Sequence, residues 1–600
     1  MNDFALLRQY EPVIHFTQGE LFYPWEIGAY LAQCALWERG RRGQLTLLCD
    51  VGQLTPDKLG AYSHTAPGHT LYLRFVQEPL DRWEYQRWRM RKDRPAFYAP
   101  GRLARVGLAS RFLGALTDLS LLARGGVPGG TTAAAEQQYR RIQQANPQYV
   151  YYGRALREGG YLILHYLYFY PMNNWRSTFY GVNDHEADWE QVFVYLSDED
   201  TPEPLWVAYA AHDYSGDDLR RRWDDPCLDK YDGTHPVVYA GAGSHASYFE
   251  RGEYLMNVQP AFLLPLKRLL HAARIFWAER LRQGDAEKLA QQLELALGVP
   301  FVDYARGDGL RVGPGQPAAW TPVVLEPGLP WVEDFRGLWG LDTRDPVGGE
   351  RAPAGPKYNR DSTVRQAWHD PLGWAGLNKV LPPDAAAQGL RAHIGGLGNQ
   401  IAALEEEIAR QRDTLRLREL EVRALQQSGH ADKLYKAYHK DVAAQEQALD
   451  ALHTRRAELQ ETLAACQGYL DRVQQHQWGD PQAHLQHQHR PETTPASQRR
   501  IVELWAALSA GLLLLVFALS VVFYPDNWLG RIILTVSLFI VIESILRRRV
   551  VNLLLTVTVT LGVVTAAILA VEFLNWLLLA AFVGLGGLLI MDNLRELRMK

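Results

Sequence analysis

Apolar and polar residues follow three different rhythms along this 600-residue chain, and the rhythm changes twice. Up to about residue 380 the apolar residues come in short runs rich in β-branched and aromatic side chains and bounded by Gly, Pro, Asn and Asp. These predict strands at YLILHYLYFY (161–170), WEQVFVYL (189–196), LWVAYAAH (205–212) and HPVVYAGAG (235–243). Helical spacing over 259–298 predicts a helical insertion packed on the sheet, so residues 1–380 read as an α+β soluble domain with a mainly β core.

A heptad rhythm then takes over. Leu390, Ile394, Leu397, Ile401, Leu404 and Ile408 are spaced alternately four and three apart, and Leu415, Val422 and Leu425 continue the stripe. After SGHADK it returns at Tyr438, Val442, Leu449, Leu452, Leu459, Leu463, Cys466 and Leu470. Residues 385–472 therefore predict an antiparallel coiled-coil hairpin turning near Gly429, with arms on the order of 50 Å long. Such a hairpin can serve as a stalk or an oligomerisation surface, or simply pack on itself. Residues 473–500 read as a polar linker carrying His476, His484, His487 and His489.

The third rhythm is continuous apolarity. LWAALSAGLLLLVFALSVVF, starting at Leu504, is long enough to cross a hydrocarbon core of about 30 Å, and residues 532–546, 550–571 and 574–591 give three more apolar segments. The expectation is a transmembrane domain of four helices over 501–594. Arg499 and Arg500, Arg547 to Arg549, and Arg595, Arg598 and Lys600 lie on one side of that arrangement, which places both termini in the cytoplasm. Glu543 and Glu572 are the only charges near the spans and fall near their ends, so the helices read as an anchor, with membrane lipids as their partners and Gly584, Gly586 and Gly587 as close-packing positions for a homo-oligomer.

Charge and cysteines narrow the class. A net charge of −4, from 63 basic and 67 acidic residues, argues against a nucleic-acid partner held by overall charge. Cys34, Cys49, Cys227 and Cys466 are scattered singly, without the paired spacing of a cysteine zinc site. The opening MNDFALLRQYEPVIHF lacks a basic stretch followed by an apolar one, which points to a cytoplasmic domain. The segment 81–107 interleaves basic and aromatic residues and, with an amphipathic stretch after it, could touch anionic lipid.

Candidate chemistry concentrates at Asn183 to Leu196, NDHEADWEQVFVYL. On a strand Asp188 and Glu190 project from one face, with His185 in the turn just upstream. Two carboxylates and an imidazole suit a divalent cation, Mg or Ca before Zn or Mn on ligand hardness, with His212 and His245 at the ends of other predicted strands able to complete the set. The bland reading is a turn with surface charges. Ser244 beside His245 invites a hydrolase reading, but GAGSHA is not a nucleophile elbow.

HEADWE followed by QVFVYL resembles the His-Glu-Gly-Asp-Trp-Glu element of the vacuolar protein sorting protein sixty-two family, and more distantly the corresponding element of the necrosis-inducing cytolysins. YEPVIHFTQGELFYPWEIGAYL (10–31), YFYPMNNW (168–175), HPVVYAGAGSHASYF (235–249), GLWGLDTRD (337–345) and AWHDPLGW (367–374) look like further elements of that family, in order. The resemblance implies a β-sandwich-like core and a divalent metal that helps recognise a sugar-bearing lipid headgroup, held by His185, Asp188 and Glu190. Ala187 stands where the family has Gly, and Ser177 where the cytolysins have an acidic ligand, for which Asn173 or Asp184 would have to substitute. The function expected is a membrane-anchored recognition domain for a polar ligand in trafficking or remodelling, with a metal-dependent hydrolase and a membrane-perturbing scaffold as alternatives.

Overall fold

The computed structural model describes residues 2–63, 66–95, 97, 122, 126–175, 184–212, 214–258, 299–342, 351–486, 490–491, 496–523, 528–546 and 550–598. The expected helical insertion at 259–298, the position of Ser177 and residues 96 and 98–107 of the basic-aromatic segment lie outside the described residues.

Six strands form the central sheet in the order Thr321–Val324, Val150–Glu158, Tyr161–Asn173, His185–Ser197, Pro204–Tyr209 and Arg220–Arg222. All neighbours are antiparallel except the first pair. Every residue of Tyr161–Asn173 is buried, so this sheet is covered on both faces. On one face Leu164, Tyr168, Val192 and Val194 meet a second sheet through Ile14, Val238 and Val312. In that sheet Val13–His15 lies between His235–Ala240 and Arg311–Val312. The two packed sheets make the sandwich-like core, held by side chains that each contribute about 1.5–3 kcal/mol on burial. The other face is covered in two places. Phe169 and Trp189 pack on Trp331, Trp339, Leu36 and Leu73, and Ile163, Phe193 and Tyr195 pack on Leu372, Ala375 and Leu377.

Helix makes up 47% of the described residues and strand 20%, and the long helices all follow this sheet-built unit. Pro383–Gln427 and Asp432–Gln474 form the expected antiparallel hairpin, 45 and 43 residues long. Leu397, Ile401 and Leu459 are buried against Leu404, Leu463 and Cys466, the seam that the heptads marked. At 1.5 Å per residue each arm spans about 65 Å. A hairpin brings the chain back towards where it left, so the two ends of the arm lie close together. The linker expectation is also corrected, because residues 478–486 are hydrogen-bonded to the Arg220–Arg222 strand and the loop after it.

Three apolar helices follow, Ala496–Phe523, Trp528–Leu546 and Val550–Arg598. The third and fourth expected spans are one continuous helix of 49 residues. The break expected at FLNW does not form, since Phe573 to Trp576 contain neither Gly nor Pro to end a helix. Among the described residues two segments, not four, are long and apolar enough to cross a membrane: Ile501–Phe523 and Trp576–Arg595.

Candidate functional site

The two longest strands pair from Tyr161↔Ser197 to Asn173↔His185, which sets Asn173 and His185 opposite each other at one end of the sheet. His185 is the first residue of its strand and not a turn residue. Ala187, opposite Pro171, has φ +60°, a left-handed conformation that side chains resist. Its consequence is a break in the alternation of faces. Asp188 turns to the core between the sheets, whereas the Glu186 carboxylate accepts hydrogen bonds from the backbone N–H groups of Phe75, Val76 and Leu341 at 2.9, 2.8 and 3.1 Å. Burial pushes the Glu186 carboxyl up to about 7 despite these donors. The aromatic neighbour Trp189 is a packing residue, against Trp331 and Trp339.

Asp188 is the centre of the site. Its Oδ2 accepts from His245 Nδ1 and from Asn173 Nδ2, both at 3.0 Å. His245 comes from the GAGSH turn after the His235–Ala240 strand, at φ +59°, and its ring stacks on Tyr170 with centroids 3.8 Å apart. Gly243 gives that turn its close approach: a Cβ there would lie 2.2 Å from the Asn174 carbonyl oxygen. The Gly243 N–H donates to Glu20 Oε2 at 2.8 Å, and the other Glu20 oxygen lies 3.8 Å from His245 Nε2. Burial alone would lower the His245 pKa, but the hydrogen bond to Asp188 and the Glu20 carboxylate outweigh it and push it up to about 9. The same bond holds Asp188 below its ordinary value, although its burial acts the other way. The buried pair is thus an imidazolium between two carboxylates.

A second buried carboxylate, Asp303, lies beside it. It accepts from Ser244 Oγ at 2.7 and 2.8 Å and from Tyr248 OH at 2.8 Å, with His212 Nε2 at 3.8 Å. The Asp303 carboxyl is raised by burial. His212 is one-third exposed, and its ring lies against Trp175 with centroids 4.9 Å apart. Glu190 sits in the field of both Asp188 and Asp303. Burial first, then these two charges, push its carboxyl well above the ordinary range.

Of the six side chains read from sequence, the structure joins Asn173, Asp188 and His245 directly. Glu190 shares their field, and His212 belongs to Asp303. His185 turns its Nδ1 to the Ala187 carbonyl oxygen at 2.8 Å, which leaves Nε2 as the acceptor end of a ring kept neutral by burial. Asp184 is held elsewhere, accepting from Thr132 Oγ1 at 2.7 Å. The expected cation does not fit these residues as placed. Asp188 Oδ2 is occupied by two N–H donors, and among the described residues no three His, Cys, Asp or Glu side chains are grouped to hold an ion.

Glu20, Glu186 and Asp303 escaped the sequence reading. They lie 168, 2 and 115 positions from Asp188, and only Glu186 lay in the motif. The signal for Glu20 was a carboxylate inside an otherwise apolar FTQGELFYPW run. Searches against protein-family models, curated proteins and solved structures return no match for this chain.

Proposed function

We propose that the chain is a membrane-tethered recognition protein: its C-terminal helices hold the β-rich domain at a bilayer, and the partly exposed polar edge of the Asp188–His245 site meets a lipid headgroup or glycan. The observation that carries this reading is the unburied apolar surface of the last helix. None of Trp576–Arg595 is buried within the chain, and side chains such as Trp576, Phe582 and Leu588 are 62–73% exposed, a surface that water does not tolerate at this extent. An even number of crossings keeps the two ends of this region on one side, and Arg499 and Arg500 with Arg595 and Arg598 assign that side to the cytoplasm.

Binding suits the site better than covalent chemistry. Ser244 is fully buried and its hydroxyl donates to Asp303, not to an imidazole that could take its proton. His185, Glu190 and His212 are the partly exposed members, and they form the face on which a ligand would lie. Full-length protein reconstituted beside liposomes of varied headgroup should show a headgroup preference that Asp188→Asn weakens at least tenfold. Identical binding of both proteins to every headgroup contradicts the assignment. Partners also include further copies of the chain, through Leu417, Leu420 and Leu434, which are 54–65% exposed on the arm.

A further inference from the structure

The segment expected to be a free linker is docked. From Gln474, the end of the second arm helix, His476 and Gly479 at φ +55° and +70° turn the chain back onto the domain. Arg222 Nη1 and Nη2 donate to the carbonyl oxygens of Trp478 and Gly479 at 2.9 and 3.0 Å. Gln482 Nε2 donates to Asp225 Oδ1 at 2.9 Å, and the Gln486 N–H to Asp218 Oδ1 at 3.2 Å. Between them the His484 ring lies edge-on to Trp206, with Nε2 3.2 Å from the Arg220 carbonyl oxygen. Further on, Pro491 packs on Gly252 so closely that a Cβ there would come within 2.3 Å of it.

These contacts cover the last strand of the central sheet, Arg220–Arg222, whose outer edge would otherwise be unpaired. They also fix how far the domain can stand from the bilayer. With the segment docked, four residues separate Pro491 from Ala496, where the first apolar helix begins, a reach of at most about 18 Å. Freed back to Gln474, the same connection is 21 residues and reaches at most about 75 Å.

We propose that residues 476–491 are a strap with two states, docked to hold the β-rich domain against the membrane and released to let it reach outward, and that protonation of His484 drives release. The height change rests on the membrane tether proposed above; the docking does not. The groups facing His484 are the guanidiniums of Arg220 and Arg221 and the carboxylate of Asp217, with Asp218 at the next contact along. Nε2 must carry its proton to donate to the Arg220 carbonyl, so Nδ1 is the site that a second proton takes. Burial, then the two guanidiniums, oppose that second proton, and His484 is held below its ordinary value. Docked protein therefore binds fewer protons than released protein. Docking is complete above the ordinary histidine value and weakens as pH falls below it.

Hydrogen exchange of the full chain in detergent or nanodiscs, corrected for intrinsic rates, tests this at pH 7.5 and 5.5. The peptide covering 478–486 should be protected at pH 7.5 and lose at least tenfold of that protection at pH 5.5, while Tyr161–Asn173 peptides stay protected at both. His484→Gln keeps an N–H donor that does not titrate and should remain protected at both values. His484→Lys should be exposed at both. Gly252→Val should loosen the strap at Pro491 and so move its release to higher pH. No protection at pH 7.5, or the same pH dependence in wild type and His484→Gln, overturns the strap. A membrane-free readout separates that outcome from failure of the tether, which only the spacing of domain and bilayer reports.

Discussion

Replacing His245 by Gln removes the buried cation that Asp188 and Glu20 share, and the structure gives the size and sign of the effect. The His245 pKa is raised from the ordinary 6.5 to about 9, so its contribution is fully present below pH 6.5 and is lost as pH rises through about 9. That rise corresponds to about 3 kcal/mol of proton-linked stability, an order-of-magnitude figure. Residues 1–380 have an unfolding entropy of about 0.8 kcal/mol/K, so the loss should appear as a fall of about 4 °C in Tm. Glu186 acts at lower pH. Its carboxyl, raised to about 7, withdraws stability as pH rises from 4.5 through 7, before His245 begins to titrate. Tryptophan-fluorescence melts of the full chain from pH 5 to 10 should therefore fall as pH rises in wild type, with a downward step through about pH 9 that belongs to His245. His245→Gln should melt lower at pH 6.5, because Asp188 is left buried without its partner, and should lack the step above pH 7.5. Parallel profiles for the two proteins would refute the assignment of the cation to His245.

At Ala187, whose φ is +60° inside a strand, Ala187→Val should cost about 3 kcal/mol or more while Ala187→Gly folds, although strand propensity alone favours Val; equal melts would show that the left-handed position is not strained. Because Asp188 Oδ2 already accepts two N–H groups, EDTA should leave the melt of the β-rich domain within about 1 °C, and a larger fall would restore a cation to the site. Leu417→Glu with Leu420→Glu should leave helicity unchanged and reduce the mass measured by light scattering in detergent, since both side chains are exposed on the arm; an unchanged mass of assembled copies places self-association elsewhere.

Patterns within one element were legible in the sequence. The heptads gave the arm and its seam, and alternation gave the central strands, because periodicity follows from a single element's own geometry. The site was half legible for the same reason. Asp188 and His185 stand in one motif, whereas Glu20 and Asp303 reach it from other strands and loops, and nothing local in FTQGELF or FVDYA reports that meeting. Glu186 was passed over because a carboxylate in a charged cluster suggests solvent. Its three backbone donors come from residues 75, 76 and 341, which only the fold assembles. The hinge at FLNW was misread because an aromatic and an amide suit a headgroup region as well as a helix interior. The strap was misread because its Gln, His and Pro composition is that of a linker, while its partners are a guanidinium, a carbonyl and carboxylates at a strand edge more than two hundred residues earlier.

The most direct measurement of the central claim is flotation of the full chain with liposomes through a density gradient, before and after alkaline carbonate washing, against a chain ending at residue 495. The account predicts that the full chain floats and resists the wash while the shortened chain stays at the bottom. A full chain that carbonate strips from the liposomes, or a shortened chain that floats as well, contradicts it.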